Sequence, residues 1–347
     1  MHVLRFTRLA AALVVALSVT GAHAVTIDWV TVGDPGNTAD TTGQPNPAGA
    51  VADSFQIMKY EWTNSQYVDF LNAVAATDTY SLYNASMGSD ARGGITQSGA
   101  SGSFTYAVKT NMGDKPVNFV SWFDAARVAN WLHNGQGSGS TETGAYTLVG
   151  GQTSGTAPAV NSNATFYIPT ENQWYKAAYY KGSGTNAGYW KYATGSDTDP
   201  TAVSAGSTGI GSASTGTVGS GTGNFANFNF GADWNSQDGN VTTVGTNGGP
   251  SAYGAFDMSG NLYEWNDLTG GAGSDRGLRG GGWSDFAFIL SSSARFDLAP
   301  SLENEYNSFR LASPVPEIDP AGLGSVLAIV TGALGLLERR RLKAKVA

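Results

Sequence analysis

Dense, aromatic-rich stretches alternate along this chain with long tracts of Gly, Ser, Thr and Asn, and no dense stretch is long enough to fold alone. The dense stretches lie near 53–74, 104–133, 165–192, 225–234, 251–268 and 276–312; the main sparse tracts are 84–103, 134–164 and 195–223. Such a pattern has to draw distant segments onto one core, since a face of any one of them must find a partner elsewhere. The sparse tracts read as surface loops inserted into one domain. After Val203 the 195–223 tract has almost no large apolar group, too little to offset its own ordering entropy. With 47 glycines and only 13% charged residues, turns and loops are expected rather than a helical bundle.

Three dense stretches open in the same way. Thr63-x-x-Gln66, Ser121-x-x-Asp124 and Thr170-x-x-Gln173 each place a hydroxyl three residues before a side chain that can reach back, the signature of a helix N-terminus. After Thr63, the residues Tyr67, Phe70, Leu71 and Val74 follow the helical period and define one apolar face. SFQIMKY (54–60), SFTYAV (103–108), ATFYIP (164–169) and RGLRGGGW (276–283) read as short strands. The expected class is α+β with little regular secondary structure.

The two ends stand apart from this body. Residues 1–24 carry Arg5 and Arg8, then the apolar run LAAALVVALSV, then Ala22-His23-Ala24. That order is a secretory signal, with cleavage expected between Ala24 and Val25; the alternative is an N-terminal anchor helix. At the other end no charge occurs from Ala321 to Leu337, a run at the lower limit of the roughly 17–25 residues that span a bilayer. A C-terminal transmembrane helix over 321–337 is expected. Arg339, Arg340, Arg341, Lys343 and Lys345 follow it and would hold that end in the cytoplasm.

Residues 313–347 resemble the PEP-CTERM sorting signals of Gram-negative bacteria, through Val315-Pro316-Glu317, the short apolar span and the Arg cluster. Ile318 departs from the commonest form, which has a second proline there. The resemblance implies an exosortase-type processing enzyme as partner, transient membrane insertion, and release to the cell envelope or extracellular matrix. A plain, unprocessed tail anchor is the alternative.

Setting aside Arg5 and Arg8, the five tail cations and Glu338 leaves 12 basic against 26 acidic residues, a net charge of about −14. Such a body repels phosphate backbones, which argues against nucleic acid as a partner. There is no cysteine, and His133 is the one histidine between the two end segments. Disulfides, thiolate nucleophiles and cysteine-ligated metals are excluded.

The dense segments, in order, resemble the formylglycine-generating-enzyme domain, also called the sulfatase-modifying-factor domain. The resemblance covers about residues 53–312 of a body at 25–312. It rests on FQIMKYEWTNSQYVDFLNAV, KPVNFVSWFDAARVANWL, FYIPTENQWYKAAYY, YGAFDMSGNLYEWND, LRGGGWSD and SFRLAS. It implies an α+β fold related to C-type lectins, with buried tryptophans and bound calcium. Trp122, Trp131, Trp174, Trp265 and Trp283 are accordingly expected in the core.

The resemblance also suggests a role for Glu264, a carboxylate set between Tyr263 and Trp265. It implies a calcium site at Asn261, Glu264 and the Leu262 carbonyl, and a second at Asn227, Asp238 and the carbonyls of Phe228 and Asn240. Calcium accepts carboxylate, amide and main-chain oxygens together. Two readings without metal stay open: Glu264 accepting backbone N–H groups in a turn, and Asp238-Gly239-Asn240 as an ordinary turn.

The family's oxidases use a pair of copper-binding cysteines just after the block that reads LRGGGW here. Asp285 and Leu290 stand roughly where those cysteines are expected, and neither offers the soft ligand that copper(I) needs. A related branch binds iron through three histidines, which one histidine cannot supply. His133 itself sits at a helix end, where a cation is ordinary. The expectation is a non-catalytic, calcium-stabilised, lectin-like body that binds a glycan or a surface protein. The alternative is an enzyme of unrecognised chemistry on the same scaffold, which a buried carboxylate pair in a deep cleft would favour.

Overall fold

In the computed structural model, residues 24–316 are described. The elements in chain order are β1 (Trp29–Val32), β2 (Phe55–Met58), α1 (Asn64–Val74), the single turn α2 (Ser86–Ser89), β3 (Ile95–Ser98), β4 (Thr105–Val108), α3 (Trp122–His133) and α4 (Glu171–Tyr179). Then come β5 (Thr201–Ala202), β6 (Phe225–Ala226), β7 (Tyr263–Asn266), β8 (Arg276–Arg279), a 3-10 turn at Ala287–Leu290, β9 (Phe296–Leu298), β10 (Asn307–Ser308) and β11 (Ala312–Pro314). Short helices and strands joined by much irregular chain make the class α+β, as the sequence suggests.

All three anticipated capping boxes form. Thr63, Ser121 and Thr170 each accept from the backbone N–H of the residue three positions on, whose side chain bonds back. Each cap satisfies donors that a helix start leaves unpaired. α1 buries Tyr67, Phe70 and Leu71, with Val74 only half-buried. α3 is buried from Trp122 through Leu132. Its alanines at 125, 126 and 129 let neighbouring segments approach on every side, so it forms the axis of the main core.

Two sheets frame this core. One is ordered β1-β2-β11, so the first and last strands flank the same central strand. The other is ordered β10-β7-β8-β9, with β10 parallel to β7 and the remaining pairs antiparallel. Three of the four anticipated strands appear. ATFYIP supplies only a bridge between Tyr167 and Ala312, because Pro169 has no N–H to extend a ladder. The five tryptophans expected in the core are all buried.

The sparse tracts depart from their reading as surface loops. The 84–103 tract forms α2 and β3 and fully buries Met87 and Ile95. The 134–164 tract buries Ala145, Tyr146, Leu148 and Ala157. In the 195–223 tract, Gly209 accepts from Thr243 N at 2.8 Å and sits against Trp234. Small residues here pack by close backbone approach, which a search for large apolar groups does not register.

Val25 begins the main core at 9% exposure. Its N–H donates to Gln136 Oε1 at 2.7 Å and its carbonyl accepts from Gln136 Nε2 at 3.2 Å. At the other end, Val315 and Pro316 are exposed just past β11. Ala24 is exposed at the start of the described residues, whereas Ala22 and the rest of 1–23, Glu317, the span at 321–337 and Arg339–Arg341 lie outside them. Among the described residues, no helix is long and apolar enough to cross a membrane.

Candidate functional site

β7 carries the YEWN stretch at the centre of the four-stranded sheet. Successive strand side chains point to opposite faces. Tyr263 and Trp265 therefore share one face, where Trp265 donates to the Val120 carbonyl at 3.1 Å. Glu264 points the other way, fully buried. There Arg310 Nε lies 2.6 Å from Oε2, Arg310 Nη2 lies 2.6 Å from Oε1, and Trp174 Nε1 donates to Oε2 at 2.7 Å. Arg310 also donates to the carbonyls of Met58, Lys59 and Phe256. A planar guanidinium forked onto a carboxylate is the strong form of this bond.

This arrangement gives Glu264 a guanidinium as its counter-ion. The cation beside it is Arg310, and a calcium ion at the same carboxylate would sit against a guanidinium. Asn261 is likewise engaged: its Oδ1 accepts from Thr242 N, Thr242 Oγ1 and Asn227 Nδ2, and its Nδ2 donates to Glu61 Oε2 at 2.9 Å. Leu262 is buried among Met112, Trp234, Val241 and Trp283. The Asn261–Leu262–Glu264 set, as placed, does not fit a metal.

The second set fits in part. Asn227 Nδ2 donates to the Asn240 carbonyl at 2.8 Å, which joins two of its four members. Asn227 Oδ1 is buried and has no hydrogen-bond partner, which leaves a hard oxygen free for a cation. The Phe228 carbonyl accepts from Gly231 N. Asp238 is exposed, and its carbonyl accepts from Arg92. Were calcium to bind, Asn227 Oδ1 and the Asn240 carbonyl would hold it, and it would supply structural cross-linking.

Carboxylates gather beside Arg310 in a way the sequence did not reveal. Glu61 is fully buried, with Oε1 lacking a hydrogen-bond partner. Burial, and then Asp257 and Glu264, push its carboxyl well above the usual range. Asp257 is raised by burial as well, despite accepting from Gly245 N and Asn247 Nδ2.

The segment after LRGGGW forms the outward face. Trp283 is buried, stacked on Tyr306 at 5.4 Å, met edge-on by Phe230, and covered by the Arg92 guanidinium at 4.1 Å. Asp285 Oδ2 accepts from Gly282 N at 2.8 Å and closes the turn. Leu290 is fully buried with Tyr192, Ala226 and Phe228. Between them the 3-10 turn turns Phe286 and Phe288 outward, 62% and 63% exposed, with their rings 6.3 Å apart and 15° from parallel. Phe230, Phe296 and Leu298 are partly exposed too. Beneath, Glu171 bonds both Arg279 and Arg295 at 2.9 Å.

Among the described residues, no group of three or more His, Cys, Asp or Glu side chains could hold a metal ion. His133 Nδ1 lies 2.9 Å from Thr165 Oγ1. Sequence reasoning marked the Trp283–Arg295 stretch but missed Arg310 and Glu61, which lie in SFRLAS and KYEW and carry no local sign of their pairing.

No curated protein matches the chain. Similar solved structures include Treponema denticola variable protein 1, at 17% identity and a TM-score of 0.45 over 85% of this chain and 97% of that one. CarF shares 21% identity at a TM-score of 0.48 over 84% and 99% of the two chains. PvdO from Pseudomonas aeruginosa shares 18% at 0.39 over 83% and 92%. The family described as the sulfatase-modifying factor enzyme 1-like domain matches residues 22–315, and the chain belongs to that family.

Proposed function

We propose that this protein is an exported, non-catalytic binding protein of the cell surface or exopolysaccharide matrix, and that the face around Phe286 and Phe288 takes a glycan or a surface-protein ligand. The observation that carries this reading is the exposed, near-parallel phenyl pair on the 3-10 turn. Rings offer flat apolar area at low conformational cost, and these two stack on each other with centres 6.3 Å apart. Asp285 and Leu290, at the places expected of catalytic cysteines, are spent on a turn and on the core. Glu264 is closed off by Arg310 and Trp174; Glu61 and Asp257, each bordering a cavity, are the feature that favours the enzyme alternative.

The signal at 1–24 and the sorting signal at 313–347 support export, exosortase processing and membrane insertion before release. The orphaned Asn227 Oδ1 supports calcium as a structural ion. A glycan array with the purified body, with and without calcium, tests the binding reading. Selective retention of one glycan class supports it; a blank array together with no captured surface protein rejects it. Mass spectrometry of surface material tests export, with a body beginning at Val25 and lacking 321–337 as the expected product.

A further inference from the structure

A different region holds an unused nucleophile. Lys115 is only 3% exposed. Its Nζ donates to the Thr208 carbonyl at 2.8 Å and to Thr243 Oγ1 at 2.6 Å, and lies 5.0 Å from the centre of the Trp234 ring. Gly209, at φ +74°, closes over the lysine stem so tightly that a Cβ there would come within 2.7 Å of Lys115 Cε. The lysine borders a cavity of about 200 Å³ whose wall also includes Asn111, Asp114, Thr208, Ile210 and Val218. Its lining combines the apolar Ile210 and Val218 with the hydroxyls of Thr208 and Thr243, the Asn111 amide and the Asp114 carboxylate. Burial pushes the ammonium down to about 8, with Asp114 acting in the opposite direction.

We propose that Lys115 is a covalent capture site for a small hydroxylated aldehyde. The Nζ lone pair attacks the carbonyl carbon, and the carbonyl π pair moves to oxygen. Loss of that oxygen with the two amine hydrogens as water then leaves a C=N bond. No electrons are gained or lost overall, and the step reverses with water. Thr243 Oγ1, in contact with Nζ, is placed to pass a proton to the departing oxygen. A desolvated lysine has this reactivity because more of it is neutral. At pH 7 it would hold on the order of a hundred-fold more neutral amine than an ordinary lysine.

The test uses the intact body with glyceraldehyde and cyanoborohydride at pH 7, followed by peptide mapping. Lys115 is expected to be labelled at least ~10-fold faster than Lys181 and Lys191, whose side chains are 33% and 45% exposed. The gap should narrow near pH 10, where surface lysines also deprotonate. Lys115→Arg, which keeps a cation over Trp234, should lose that label and retain its melting temperature. Mapping of the unmodified protein decides the matter whether or not the variant folds. Labelling of Lys115 no faster than Lys181 and Lys191 would leave it as a structural clamp on the 204–212 loop and overturn the proposal.

Discussion

Arg310 grips Glu264 by both carboxylate oxygens at 2.6 Å, and neither residue touches solvent. This pair joins the penultimate stretch of the body to the centre of the four-stranded sheet. Breaking a buried pair from one side costs about 3–5 kcal/mol, because the remaining charge is stranded. Glu264→Gln and Arg310→Met should each show a loss of that size in urea unfolding. The double variant should lose less than the sum of the two. Additive losses would mean that the two groups do not act as a pair.

Calcium should stabilise the body through Asn227 rather than through Glu264. A ligand at 100 times its Kd adds about 2.7 kcal/mol when it binds only the folded form. Differential scanning calorimetry with calcium and with chelator should show a shift that Asn227→Ala removes and Glu264→Gln retains. The reverse pattern would restore the metal to the GNLYEWND block.

Stability should fall as pH rises from about 4 to about 8 through Asp124. Burial, with Glu303 nearby, raises its folded value to about 8, while the unfolded chain titrates near 3.9. The folded state therefore holds the extra proton. The contribution is complete below the unfolded value and is lost as pH climbs through the folded one, at up to about 1.4 kcal/mol per pH unit. Asp124→Asn should flatten that slope in denaturation curves taken across the window. An unchanged slope would show that Asp124 folds already ionised.

Phe286→Ser and Phe288→Ser should leave stability within about 0.5 kcal/mol, since both rings are exposed. Each should weaken retention of the array ligand at least ~10-fold, a loss of more than about 1 kcal/mol at a central contact. Equal retention by the variants and the parent would move the binding face elsewhere.

No formylglycine should form when the body is incubated with a cysteine-containing sulfatase peptide, copper and oxygen. Position 285 is a hard oxygen donor held in a turn and position 290 is a core leucine, so copper(I) has no thiolate there. Peptide mass reads the outcome directly. A mass loss matching the aldehyde, above a protein-free control, would revive the enzyme reading.

The parts of this fold that are legible in the sequence are local. Thr63, Ser121 and Thr170 announce helix starts because each cap closes within four residues. The burial of Trp265 and Trp283 was legible through the family blocks YEWND and LRGGGW that carry them. The role of Glu264 was not legible, because its partners Arg310 and Trp174 lie 46 and 90 residues away. Its flanking rings suggested a special carboxylate correctly, but nothing near it in the chain names the cation. The glycine-rich tracts misled for a related reason: Gly209 contributes closeness rather than surface.

The placement of β11 beside β2 has a consequence for biosynthesis. Leu311 accepts from Met58 N at 2.9 Å across 253 residues of chain, and Pro314 pairs with Phe55. A ribosome delivers the N-terminal segments first, so β2 waits with one edge open until almost the whole body has been made. A product that stops short of Ala312 can neither close that sheet nor, if it also lacks Arg310, neutralise Glu264. Completion of the fold thus reports completion of the body, at the residue before the Val315-Pro316 segment begins.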